Sequence, residues 1–259
     1  MFNNFGSLSF FMKFCRPEHN ILNRCHTIRF GTLEYYREMD PSFAIADSEE
    51  GRESMDIQSV SSENASPEVR KMFPVLERGG RHIEFSKMTT TGPNCWIWCC
   101  SLVPQGCSES DLMTKGKSID SAYTSSFGIT NRFRFAECLT EILANSLPVS
   151  SGLAKSLKDI LGRFTVREMN QLRVRSCHNV VEYIEEKKQT IDRGQVSPYS
   201  NLPPFLRRIF TKPKTFARDK EYRFAFWLEH PLHGVLSVQK DPIDLPILPI
   251  FEYQNLNNP

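Results

Sequence analysis

The run Cys95-Trp96-Ile97-Trp98-Cys99-Cys100-Ser101-Leu102-Val103 constrains the fold of this chain more than any other stretch. It is apolar or small at every position. A strand points successive side chains to opposite faces, so apolar residues at odd and even positions alike require cover on both sides. The run is therefore expected to be a central, buried strand. Further strand-like stretches occur at 8–14, 26–33, 81–87, 122–130 and 161–166, and in the alternating run 219–229. Apolar residues at helical spacing predict a helix over 132–146. Shorter helices are expected near Pro17 and Glu18, at 33–39 as a turn of helix, and at 67–77, 109–117 and 152–160, while 174–191 mixes a strand-like start with a helical end.

Strands and helices are intermixed without regular βαβα alternation. This predicts an α+β fold, with a central, mostly antiparallel sheet and flanking helices. With 259 residues, 40% of them hydrophobic, the chain is expected to form a single domain over 1–259. The polar stretch 52–80 is expected to be a mobile loop or insertion.

A formal charge of +2 gives no whole-molecule attraction to nucleic acid or membrane. No stretch reaches the apolar length of a membrane span. The opening MFNNFGSLSFFMKF lacks a basic start and is interrupted by Lys13, unlike a secretory leader. The eight cysteines are read as reduced thiols, which places the chain in the cytoplasm. Neither GxGxxG nor GxxxxGK[ST] is present, so the usual phosphate-cradling loops are missing.

Four constellations carry chemistry. On a strand over 26–33, His26, Ile28 and Phe30 face one way, and Thr27, Arg29 and Gly31 the other. Arg29 then has open space to grip a carboxylate or phosphate, and Tyr35 and Tyr36 offer flat faces for a ring. A structural ion pair and packed tyrosines account for the same residues. Asp47-Ser48-Glu49-Glu50-Gly51 forms an acidic turn without the D-x-D-x-D-G spacing of a calcium loop. Cys99 and Cys100 point to opposite faces of a strand, which suits core packing and not zinc, so no metal site is assigned; Ser101 shares a face with Cys99. Over 219–226, Asp219, Glu221 and Arg223 project to one side, and Tyr222, Phe224 and Phe226 to the other. The basic stretch Arg207, Arg208, Lys212, Lys214, Arg218 and Lys220 is read as a solvated face, and His230 and His233 are too isolated for metal ligands.

The order of Phe11 to Phe14, Ile21-Leu22, Arg29-Phe30-Gly31, Tyr35-Tyr36, Asp47 to Gly51, Cys100-Ser101, Lys212-Pro213-Lys214 and Asp219-Lys220-Glu221-Tyr222-Arg223 resembles a large bacterial family of uncharacterised function. A second resemblance is to ADP-ribosyltransferases of the Arg-Ser-Glu type, which carry arginine on an early strand, serine on a middle one and glutamate on a late one. That resemblance implies NAD as the cofactor consumed. Arg29 would hold its pyrophosphate, Ser101 would brace the site, and Glu221, with Asp219 two residues before it, would act on the ribose. Tyr35 or Tyr36 would stack on the nicotinamide, with His26, Thr32 and Arg223 completing the set. It leads to the expectation of an NAD-consuming bacterial toxin or antiviral defence effector that modifies a protein or nucleic-acid acceptor. One rival is a non-enzymatic binding module for a nucleotide, peptide or nucleic acid. Another is a metal-dependent nuclease or hydrolase in which Asp47, Glu50, Asp219 and Glu221 converge.

Overall fold

The computed structural model describes residues 9–22, 25–41, 43, 45–73, 76, 82–83, 86–146, 166–185, 188–192, 195–197 and 200–247. The chain runs through β1 (Ser9–Cys15), β2 (Thr27–Thr32), α1 (Leu33–Glu38), β3 (Arg52–Gln58), β4 (Val60–Ser61), α2 (Pro67–Met72), β5 (His82–Ile83), β6 (Ser86–Thr91) and β7 (Trp96–Pro104). It continues through α3 (Glu109–Ile119), β8 (Ser125–Ile129), α4 (Arg132–Ser146), α5 (Val166–Met169), β9 (Arg173–Val180), β10 (Glu182–Ile184) and β11 (Lys188–Asp192). The last elements are β12 (Gln195–Ser197), α6 (Pro204–Phe210), β13 (Thr211–Pro213), β14 (Glu221–His230), β15 (Gly234–Leu236) and β16 (Ile243–Pro246). The fold is α+β, with a large, mostly antiparallel sheet and helices around it. No helix among the described residues is long and apolar enough to cross a membrane.

The chain divides into two compact units. The first is built from Met1–Ser48, Pro93–Val181 and Ala217–Pro259. Its sheet runs β15-β14-β7-β1-β8, with β9 on β14, β2 on β7 and β16 on β2, and every pairing is antiparallel. The strand β7 is buried on both faces, as its sequence demands. Trp96, Trp98 and Cys100 join Phe224, Phe226, Phe127 and Ile129 in the main core, which Phe135, Leu139, Ile142 and Leu143 of α4 complete. Ile97, Ser101 and Val103 are buried on the other face. Each fully buried large apolar side chain contributes roughly 1.5–3 kcal/mol relative to exposure.

One edge of β7 positions the candidate site. Its other edge is taken by β14, from Phe226↔Trp96 to Glu221↔Ser101. The free edge is shared by two strands. At the start of β7, Gly31 and Thr32 of β2 pair with Ile97 and Trp96. At its end, β1 pairs from Met12↔Ser101 to Ser9↔Pro104. Between these contacts the two strands part, β1 toward β8 and β2 toward β16.

The second unit comprises Glu49–Gly92 and Glu182–Phe216. Its four-stranded sheet runs β12-β11-β3-β6, with β3 and β11 parallel. Met55, Ile57, Val60, Ala65, Val69, Leu76 and Ile191 form its core. The stretch 52–80, read as loop and short helix, thus holds the strands β3 and β4 as well as α2. The strand pattern of β3 is hidden because one inward position is a carboxylate: Glu53, Met55 and Ile57 are buried while Arg52, Ser54 and Asp56 are half-exposed. The helical end expected within 174–191 is instead β10 and β11, where the inward-facing Gln189 conceals the alternation in the same way. The helix expected at 152–160 and the strand at 161–165 lie outside the described residues, and Val166 opens α5.

Candidate functional site

A cleft of about 340 Å³ opens where β1 and β2 part. Its walls carry Lys13 from β1 and Arg16 just after it, Arg29 from β2, Tyr35 and Tyr36 from α1, and Asp244 from β16, together with Trp98, Asp120 and Tyr123. Three cations against two carboxylates leave the lining with one net positive charge.

Local sequence fixes the tyrosine wall. Thr32 is the N-cap of α1: its Oγ1 accepts from the Tyr35 amide at 3.0 Å and donates to the Lys240 carbonyl at 2.5 Å. Thr32 is fully buried and serves the backbone. The two tyrosine rings meet edge to face with centroids 5.4 Å apart. Gly31 lets the Tyr36 ring lie against β2, since a Cβ there would stand 2.7 Å from Tyr36 Cζ. Burial pushes the Tyr36 phenol well above its ordinary pKa and that of Tyr123 up to about 12, so both are neutral donors at physiological pH.

Arg29 points away from the core, as its alternation with Ile28 and Phe30 requires. It is already partnered. Its Nε and Nη2 donate to the two carboxylate oxygens of Asp244 at 2.9 and 2.7 Å, across a strand pair that sets the two residues opposite each other. Of the two sequence accounts of Arg29, this is the ion pair. Lys13 presents a different charge. Its Nζ donates to the Cys99 carbonyl at 2.7 Å and sits 4.7 Å from the centre of the Trp98 ring. Among the described residues no carboxylate pairs with it.

Ser101 and Glu221 face each other across β7 and β14 and are both buried. The Glu221 carboxylate accepts from Arg223 two residues on, and that guanidinium is buried too. Asp219 lies beyond the strand, 3.6 Å from Arg218. The alternation assigned to 219–226 is therefore observed from residue 221, with Tyr222, Phe224 and Phe226 in the core on the opposite face. Ser101, Glu221 and Arg223 do not line the cleft that holds Arg29, Tyr35 and Tyr36. Burial is the main cause of the Tyr36 shift, to which the nearby Glu221 carboxylate adds and the Arg223 guanidinium subtracts. His26 precedes β2, is exposed, and is not part of the lining.

Lys13 and Asp244 escape a sequence reading. Lys13 looks like the polar break in an apolar strand, and the pairing of Asp244 with Arg29 spans 215 residues. The only available signal for Lys13 is an ammonium flanked by Phe and Met on a strand bound for the sheet centre. The second unit holds another cluster that sequence reading places in solvent. Arg207 is buried and donates to Glu53 at 2.8 Å and to Gln189 at 3.2 Å, while Arg208 donates to Glu53 and to Thr90. Lys212, also buried, lies 3.8 Å from Glu50. Arg207 and Lys212, with the partly buried Arg208, correct the reading of the basic stretch as a solvated face, whereas Lys214, Arg218 and Lys220 are exposed as expected. Among the described residues, no three His, Cys, Asp or Glu side chains are grouped to hold a metal ion. Comparison with protein-family models, curated proteins and solved structures finds no match to this chain.

Proposed function

We propose that this chain is a binding module for a small nucleotide-like molecule, an aromatic ring bearing an acidic group, seated in the cleft between β1 and β2. The observation that carries this reading is Lys13. Its ammonium is half-buried, held by one carbonyl and an indole face, and lines the same cleft as Tyr35 and Tyr36. Two of its N–H bonds remain for an anion, in partly desolvated surroundings where a charge-assisted bond is strongest. The tyrosines supply edges and faces for a ring. A volume of about 340 Å³ lies near the lower end of the ~300–1,000 Å³ typical of small-molecule sites, which suits one ring and one acidic group.

A second reading, an NAD-consuming transferase, draws on the register that sets Ser101 opposite Glu221 with Tyr36 alongside. For it Glu221 would have to release Arg223 and reach the ligand.

Both readings are tested with one set of ligands. Nucleoside monophosphates are expected to bind the wild-type chain saturably in calorimetry. Lys13→Met should weaken them about tenfold or more, the loss of one hydrogen bond to a charged group. Tyr35→Ala, which removes a ring from the same lining, should weaken them as well. Binding that both variants leave intact would reject the cleft. NAD turnover that Glu221→Gln abolishes would favour the transferase.

A further inference from the structure

We propose that the acidic group of the cleft's ligand is a phosphate, which Arg29 takes in exchange for Asp244; this rests on the binding reading above. Arg29 and Asp244 both line the cleft beside Tyr35. Their two parallel hydrogen bonds have the geometry that a guanidinium uses for any planar pair of acidic oxygens. Asp244 therefore occupies the position a ligand anion would take.

The pair is built to be exchanged. The Arg29 and Asp244 side chains are 55% and 43% exposed, so the released carboxylate returns to water without crossing a buried region. Solvent and salt screen the pair, while its two-pronged geometry makes it stronger than a single contact, so Asp244 yields to a stronger anion and holds against an equal one.

The chemistry of the exchange selects the ligand. A carboxylate ligand would replace a carboxylate with its equal: the same charge, the same two oxygens, and no net gain at Arg29. A phosphate monoester carries a charge of roughly −1.5 to −2 and three acceptor oxygens near neutral pH. It can hold the Arg29 fork and still present an oxygen to another donor. A ligand with no acid leaves the pair closed. Asp244 thus acts as a competitor fixed in the fold, which sets a threshold that phosphate passes and carboxylate does not.

The test measures dissociation constants by calorimetry on the full chain for adenosine and uridine, their 5′-monophosphates and their 5′-carboxylates. Wild-type protein should prefer each monophosphate over its carboxylate by about tenfold or more. Asp244→Asn weakens the competition for Arg29 and should tighten both acids severalfold, leave the nucleosides unchanged, and keep or widen the preference. Arg29→Lys keeps the charge and loses the fork. It should reduce the phosphate preference with Asp244 untouched, which guards against a general effect of Asp244→Asn on β16. If the monophosphates bind and depend on Lys13, but Asp244→Asn tightens neither acid and Arg29→Lys leaves the phosphate-to-carboxylate ratio unchanged, the exchange is overturned and the cleft stands. If no compound binds wild type or Asp244→Asn, both fall together.

Discussion

A Cβ on Gly31 would press into the ring of Tyr36, 2.7 Å from Cζ and from the phenol oxygen. This is a requirement of close approach, not of backbone conformation, since Gly31 sits in a regular strand. The ring must then move, and the cleft it lines must change shape. Gly31→Ala is expected to cost about 1–3 kcal/mol, the usual range for overpacking, and to weaken ligand binding. The double variant Gly31→Ala/Tyr36→Leu should recover the stability but not the affinity. Urea denaturation and calorimetry separate the two effects. Equal recovery of both would show that the Tyr36 ring makes no ligand contact.

At the scale of elements, α1 is only six residues long and depends on its ends. Thr32 holds it twice, accepting from Tyr35 and donating to the Lys240 carbonyl, and so ties the tyrosine wall to the segment leading into β16. Thr32→Val keeps the shape and removes both bonds, leaving the Tyr35 amide and the Lys240 carbonyl without this partner. The expected cost is about 1–3 kcal/mol, read as a lower urea midpoint with an unchanged slope. Ligand affinity should fall as well, because Tyr35 and Tyr36 stand on the helix that Thr32 starts. A stability loss with no change in affinity would separate the helix from the site. The same element explains why Thr32 resembled a ligand contact in the sequence: a threonine beside an arginine strand can serve a phosphate or a backbone, and here it serves the backbone.

For the whole molecule, the division into two units gives the second its own polar anchor. Glu53 is buried between Arg207 and Arg208, with Gln189 and Thr90 taking further guanidinium bonds. Such a network contributes little over an apolar core, yet breaking it leaves buried charge uncompensated. Glu53→Ala takes from the buried Arg207 and the partly buried Arg208 the carboxylate they share, and should destabilise this unit by about 3–5 kcal/mol. Hydrogen–deuterium exchange is expected to quicken across β3, β6, β11 and α6. Unchanged protection of these elements would show that the cluster does not hold the sheet together.

The sequence by itself determined what periodicity can report. The two-faced apolar run made β7 a central strand, the 3.6-residue pattern made α4 a covering helix, and the alternation of Tyr222, Phe224 and Phe226 with Glu221 and Arg223 oriented β14. It also turned Arg29 away from the core. Periodicity failed where an inward position carries a polar group, as at Glu53 and Gln189, because the burial of a charge depends on a partner it finds elsewhere. The tertiary structure alone decided those partners: Asp244 for Arg29, the Cys99 carbonyl and Trp98 ring for Lys13, Arg207 and Arg208 for Glu53. It also decided that β1 and β2 part along β7, leaving a cleft that holds Arg29 but not Ser101 or Glu221. Hydrophobic pattern is local and sets which way a side chain faces, whereas register between distant strands sets what it meets.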